Sequence, residues 1–185
     1  MKLHLGCGKR QLSGYTHVDL ADFDHIDHRH DITTLPMFED NSADLIYSSH
    51  TLEYFDRIQV IPVLEEWRRV LKPGGILRLA VPDFEALADV YAKSKDLELI
   101  IGPLYGRWPV PGTDLVVYHK TVYDFSSLRR ALEYTGFTGI RRWEWREVFT
   151  GEIEGHDDFS QAYVPHMDKE YGTLVSLNVE ADNPR

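Results

Sequence analysis

The stretch that decides the fold is KLHLGCGKRQLSGYTHVDL, residues 2–20. Two hydrophobic stretches, KLHL (2–5) and THVDL (16–20), flank a Gly-Cys-Gly loop, and an aspartate lies near the end of the second. This reads as strand, glycine loop, strand, the opening of a nucleotide-binding sheet. Gly6 and Gly8 let the backbone approach a ligand without side-chain obstruction. Asp19, at the end of the next strand, is placed to accept hydrogen bonds from both hydroxyls of a ribose. The connection is short, however. Residues 9–15 have room for a single helical turn at most, whereas a parallel crossover takes a dozen or more residues and normally contains a helix. The next connection, 21–27, is equally short, so reduced helices are expected after both strands. Parallel sheets rarely leave a face open. Leu12, Tyr15, Phe23 and Ile26 are therefore expected to cover that face from extended loops, or a second subunit of a homo-oligomer to cover them.

Working outward, HRHDI (28–32) and SADLIYSS (42–49) read as the third and fourth strands. Val60, Leu64, Trp67 and Leu71 then fall on one helical face. Asp56 and Gln59 form a capping box ahead of it, Pro62 lies in the first turn where proline is tolerated, and Pro73-Gly74-Gly75 stops the helix in a turn. ILRLAV (76–81) is another strand. DFEALADVYAKS (83–94) resumes helical spacing with Asp83 as N-cap. Residues 96–118 show no period. SSLRRALEYTG (126–136) reads as a short helix with a serine cap and Gly136 after its last turn. GIRRWEWREVF (139–149) and TLVSLNVEA (173–181) read as the last two strands. Strands interleaved with helices specify an α/β fold with a mostly parallel sheet.

The chain has 185 residues, 43% hydrophobic and 27% charged, which suits one domain spanning 1–185 with irregular insertions near 96–120 and 150–172. The formal net charge is −10 and the basic residues are scattered, which argues against a nucleic-acid partner. No apolar run approaches the ~18 residues of a membrane span, and no signal-peptide pattern opens the chain. A single cysteine, Cys7, excludes an intramolecular disulfide framework. A cytoplasmic protein without a membrane partner is expected.

The glycine pattern bears on the cofactor. The dinucleotide fingerprint needs G-x-G-x-x-G and an acid ~20 residues further on. Here Gln11 stands in place of the third glycine and Asp19 comes too early. The phosphate-binding G-x-x-x-x-G-K-[ST] loop is absent as well. LHLGCG, VDL, HDITTLP, DNSADLIYSSHTLEYF and EEWRRVLKPGGILRLAVPDF, followed by YHKTVYDFSSLRRALEYTGFTGIRRW and TLVSLNVEA, resemble class I S-adenosylmethionine-dependent methyltransferases. The likeness is greatest to compact bacterial ones with an L-x-L-G-C-G start. It implies a Rossmann-like seven-stranded sheet of order 3-2-1-4-5-7-6. It further implies that Leu5, Gly6, Cys7 and Gly8 hold the methionine part of the cofactor, that Asp19 binds ribose, and that Leu20, Asp31 and Ile32 lie at the adenine. Ser48, Ser49 and His50 would sit beside the sulfonium and the acceptor. Two residues depart from the superfamily pattern. His4 stands where many members have an acid two residues before the first glycine, and Arg10 stands where they commonly have a third glycine. The amino group of the cofactor is then expected to be held differently.

Methyl transfer from a sulfonium is an in-line displacement that depends on positioning, and a hydroxyl acceptor also benefits from a base. His50, after the fourth strand, is the leading base or orienting residue, and His119 the second. Glu53 is read first as a helix-start residue, with a cofactor or substrate contact as the alternative. Topology brings the segment before the 126–136 helix to the same edge. Tyr105, Arg107 and Trp108 there suit a wall for a sugar or acidic acceptor. The long 150–172 loop is expected at that edge too, as a partial lid whose His156, Asp157, Tyr163 or His166 contacts the acceptor. DFDHIDHRHD (22–31) places His25, His28 and His30 among four aspartates; its first reading is a solvated acidic connection, with no metal. The expected activity is methylation, at oxygen, of a small molecule or glycan. The alternative is a catalytically silent cofactor-binding module that works through a partner enzyme.

Overall fold

The computed structural model describes residues 1–184. Seven strands build the main sheet: β1 (Lys2–Leu5), β2 (Thr16–Asp19), β3 (His28–Arg29), β4 (Ala43–Ser49), β5 (Leu71–Pro82), β6 (Thr138–Arg142) and β7 (Ser176–Asp182). In these labels their order is 3-2-1-4-5-7-6, as expected. The first five strands run parallel. β7 is antiparallel to both β5 and β6.

One face carries the main core. Leu3, Leu5, Ile46, Leu77, Leu79 and Val179 pack there against α1 (Val60–Val70) and α4 (Phe125–Tyr134). α1 forms where the periodicity placed it, burying Val60, Val63, Leu64, Trp67 and Val70. The expected Asp56–Gln59 box closes the turn ahead of the helix: Asp56 Oδ1 accepts from Gln59 N, and Gln59 Oε1 accepts from Asp56 N. The Trp67 indole, fully buried, donates to the Ile32 carbonyl at 2.8 Å. The helix stops one residue early, because Leu71 is already extended and opens β5.

The other face of the sheet is polar: His4, His17, Tyr47 and Asn178 are all buried there. Residues 9–15 and 21–27 form turns with no helix. Leu12 and Tyr15 help cover the face, as expected, packing in a cluster with Tyr47, Ala80, Trp143 and Phe149. Phe23 instead stacks on His25, and Ile26 is half-buried in a turn. Most of the missing helix cover comes from this chain's own segment between β6 and β7. Beside it an open cavity of about 660 Å³ is lined by Gln11, Tyr15, His17, Asp24 and His25.

Four local expectations are corrected. The strand expected over 139–149 ends at Arg142; Trp143 turns its indole onto the Leu79 carbonyl, and Trp145–Val148 coils into one helical turn. Residues 96–118 contain α3 (Glu98–Tyr105), masked in the sequence by Gly102 and Pro103, and a two-stranded ribbon, Arg107–Pro109 with Val116–Tyr118. The cap of α4 is Asp124, which accepts from Ser127 N while Ser127 Oγ accepts from Asp124 N. The 150–172 segment is not confined to the catalytic edge. It folds into 3-10 turns at Gly151–Ile153 and Phe159–Gln161 and a small ribbon, Tyr163–Val164 with Thr173–Leu174. α2 (Phe84–Ser94) is capped by Asp83 as expected. Among the described residues no helix is long and apolar enough to cross a membrane.

Candidate active site

The glycine loop lies at the carboxyl end of β1, beside the ends of β2 and β4. Gly6 and Gly8 both adopt left-handed backbone, at φ +65° and +52°. A side chain at Gly6 would also strike Thr51, whose hydroxyl donates to the Gly6 carbonyl at 3.1 Å. Asp19 is 4% exposed, and its two oxygens accept from Gly8 N and Ala21 N, each at 2.7 Å. That carboxylate ties the loop to β2 and keeps lone pairs for a diol. The Cys7 thiol is buried, and burial, reinforced by Asp19, pushes its pKa up, so it stays a neutral filler.

The other expected cofactor residues divide. Leu20 is half-buried and its carbonyl accepts from Arg29 Nε, while Asp31 is exposed and caps Thr33 N. Leu5 and Ile32 have their side chains in the main core rather than at the edge. Ser48 is 1% exposed and spends its hydroxyl on the Leu5 carbonyl, which joins β1 to β4. Ser49 Oγ is buried without a hydrogen-bond partner.

Past β4 the structure assembles a group that spacing did not reveal. Glu53 sits in a 3-10 turn, Leu52–Tyr54, with its carboxyl group 0% exposed and both oxygens unpartnered. His50 Nδ1 lies 3.6 Å from Glu53 Oε1, and His119 Nε2 lies 3.7 Å from the same oxygen. Glu53 does stand in the first turn of this short helix, as read from the sequence, and its carboxyl group also faces two imidazoles.

Hydrogen bonding assigns both tautomers. Asn178 Nδ2 donates to the Ser160 carbonyl, so its Oδ1 is an acceptor and takes the Ser176 hydroxyl at 2.9 Å. Ser176 Oγ then has only lone pairs left for His50 Nε2, at 3.0 Å. His50 thus carries its proton on Nε2 and aims the Nδ1 lone pair at Glu53. His119 Nδ1 faces the Pro103 carbonyl at 2.8 Å and must donate, so its Nε2 lone pair also faces Glu53. Burial pushes the Glu53 carboxyl up to about 8 and lowers His50 to about 3. Burial also lowers His119, partly offset by its bond to Pro103. At neutral pH this is a protonated carboxyl group between two neutral imidazoles.

The Arg107–Tyr118 ribbon lies across this edge. Trp108 packs against Gly8, Asp22 N donates to the Pro111 carbonyl, and Arg29 reaches the Gly112 carbonyl at 2.6 Å. Gly106 is pressed against the His119 ring, and Tyr54 meets that ring edge-on at 4.7 Å. Arg107 Nε donates to the Tyr118 hydroxyl, and Tyr105 is 69% exposed.

The remaining acceptor candidates lie elsewhere. His156 is held by Asp158 at 3.0 Å and meets Phe149 edge-on, beneath the polar sheet face. Tyr163 contacts Trp145, Asp157 pairs with Lys169, and His166 is exposed in a turn. Phe159 of that segment reaches the edge, 5.5 Å from the His50 ring. His25, His28 and His30 face different neighbours: His17, Phe38 and Thr34. Among the described residues no three His, Cys, Asp or Glu side chains are arranged to hold a metal ion.

Residues 3–79 match the family described as a methyltransferase domain. No curated protein matches significantly. Solved structures share the fold. An S-adenosylmethionine-dependent methyltransferase from Methanosarcina mazei is 17% identical with a TM-score of 0.57, over 98% of this chain and 91% of that one. One from Mesorhizobium loti is 18% identical with a TM-score of 0.53, over 98% and 89%. One from Archaeoglobus fulgidus is 15% identical with a TM-score of 0.56, over 98% and 85%. The family match runs from β1 through the glycine loop to β5, on a sheet of the expected order. From β1 to β5 the chain thus matches a methyltransferase domain, and over nearly its whole length it shares the fold of S-adenosylmethionine-dependent methyltransferases.

Proposed function

We propose that this enzyme methylates a hydroxyl oxygen of a small molecule or glycan in the cytoplasm, and that His50 and His119 are its proton acceptors. The observation that carries this reading is the convergence of the His50 Nδ1 and His119 Nε2 lone pairs at the carboxyl end of β4. The residues around the glycine loop fit the cofactor: two left-handed glycines leave the loop without side chains, and Asp19 stands at the end of β2.

A bound cofactor would supply a methyl group activated on sulfur and leave as the neutral thioether. His50 Nδ1 or His119 Nε2 would take the proton of the acceptor hydroxyl as its oxygen is methylated. Trp108 and Arg107 would form the outer wall for the acceptor. The scattered basic residues and net charge of −10 support a small or glycan acceptor over nucleic acid. A single buried cysteine suits a reducing compartment.

The test is calorimetric titration with S-adenosylhomocysteine, followed by transfer of labelled methyl to a panel of polyols, sugars and phenols. Labelled ether products that disappear in His50→Ala and His119→Ala support the reading. Transfer only to amines would overturn the oxygen assignment.

A further inference from the structure

We propose that the enzyme grips its cofactor by two carboxyl groups, with Asp19 at the ribose and Glu53 receiving the α-ammonium group. The proposal rests on the cofactor reading above.

Position 4, where the superfamily pattern offers an acid, contributes nothing to this edge. His4 is 1% exposed and faces the opposite side of the sheet, among Tyr15, His17, Tyr47 and His156. The Gly6 carbonyl already takes the Thr51 hydroxyl. Glu53, by contrast, is fully buried with two unpartnered oxygens, which is costly unless a ligand completes the site.

The surroundings define the ligand. Glu53 Oε1 and two imidazole lone pairs converge with gaps of 3.6 and 3.7 Å, too long for direct hydrogen bonds. Once ionised, the two unpartnered oxygens of Glu53 match a primary ammonium, which has three N–H donors and no acceptor. Tyr54 stands against the His119 ring, and burial raises its hydroxyl pKa, with the charges of Glu53 and then Asp19 raising it further. The titratable groups facing Glu53 are His50 from the end of β4, His119 from the ribbon, Tyr54 beside it and Tyr123 ahead of α4.

With its pKa pushed up to about 8, the empty site keeps Glu53 protonated. An arriving ammonium stabilises the carboxylate, and the carboxyl proton leaves to solvent.

The experiment compares S-adenosylhomocysteine with its des-amino analogue by calorimetry near pH 7 in buffers of differing ionisation enthalpy, on wild type and Glu53→Gln. Expected are release of close to one proton with S-adenosylhomocysteine and almost none with the analogue. Glu53→Gln should weaken S-adenosylhomocysteine by about 10- to 100-fold, leave the analogue within about 3-fold, and abolish the proton release. Equal proton counts for the two ligands, or equal effects of Glu53→Gln on both, would overturn the Glu53 assignment and leave the cofactor reading intact. If neither ligand bound wild type, the cofactor reading itself would fall.

Discussion

The hydroxyl of Tyr47, on β4, donates a 2.6 Å hydrogen bond to the Asp158 carboxylate, 111 residues further along the chain. The same carboxylate accepts from His156 at 3.0 Å and from Ser160 N at 2.8 Å, and Asp158 is 3% exposed. Burial alone would raise its pKa. The bonds from His156, Ser160 and Tyr47 outweigh burial and hold it below the usual carboxylate range. This pairing fixes the 143–161 segment on the face where helices after β1 and β2 would otherwise lie.

Asp158→Ala should therefore be among the most destabilising single changes. It leaves the Tyr47 hydroxyl and His156 buried without their partner, at a cost of about 3–5 kcal/mol. Urea titration measures it. A loss under about 1 kcal/mol would mean that the segment is held by its aromatic contacts alone.

Glu53→Gln should stabilise the empty enzyme, and more at pH 8 than at pH 5. The folded carboxyl keeps its proton up to about 8. An unfolded one releases it above ~4.5, so folding becomes costlier as pH rises between those values. The penalty is on the order of 4 kcal/mol at pH 8. Thermal melts of wild type and variant across this range check it. A variant whose gain did not grow with pH would contradict a protonated resting Glu53.

Acid should unfold the protein partly through His4. Burial lowers its pKa to about 3, and Nδ1 has no hydrogen-bond partner. The unfolded imidazole charges below ~6.5 while the folded one cannot, so stability is lost as pH falls from 6.5 toward 3. His4→Leu should shift the acid midpoint downward, followed by circular dichroism. An unchanged midpoint would place the acid sensitivity in Asp158 and the other carboxylates.

Two glycine substitutions should separate loop strain from ligand contact. Gly6 and Gly14 are both left-handed, at φ +65° and +77°. A methyl group at Gly6 meets Thr51, whereas nothing lies within 4 Å at Gly14. Gly14→Ala should lose about 1–2 kcal/mol from backbone strain, and Gly6→Ala more, because its methyl group also displaces Thr51. Only Gly6→Ala should also weaken S-adenosylhomocysteine, by tenfold or more. Equal affinities in the two variants would show that the loop does not contact the ligand.

Local signals were legible in the sequence. Gly6 and Gly8 between two apolar stretches marked the first loop, and the short connections at 9–15 and 21–27 announced the reduced helices. The spacing of Val60, Leu64 and Trp67, with its capping box, placed α1. Helix α3 escaped because Gly102 and Pro103 break its pattern, and β6 was drawn too long because RRWEWREVF continues to alternate beyond Arg142. Among site residues, His50 and His119 stood out by residue type and by resemblance. Glu53 did not, since three residues beyond a histidine a glutamate is usually a solvated turn residue.

Periodicity, caps and glycine turns are interactions between neighbours along the chain, and the sequence by itself determined the elements they govern. Burial of a carboxyl group is not local. It took the ribbon to bring His119 to Glu53, and β7 to bring Ser176 and Asn178 to His50. It likewise took the return of the 143–161 segment to place Asp158 on Tyr47. Those meetings were decided only by the tertiary structure, because strand order and crossover geometry set which distant side chains share a dry space.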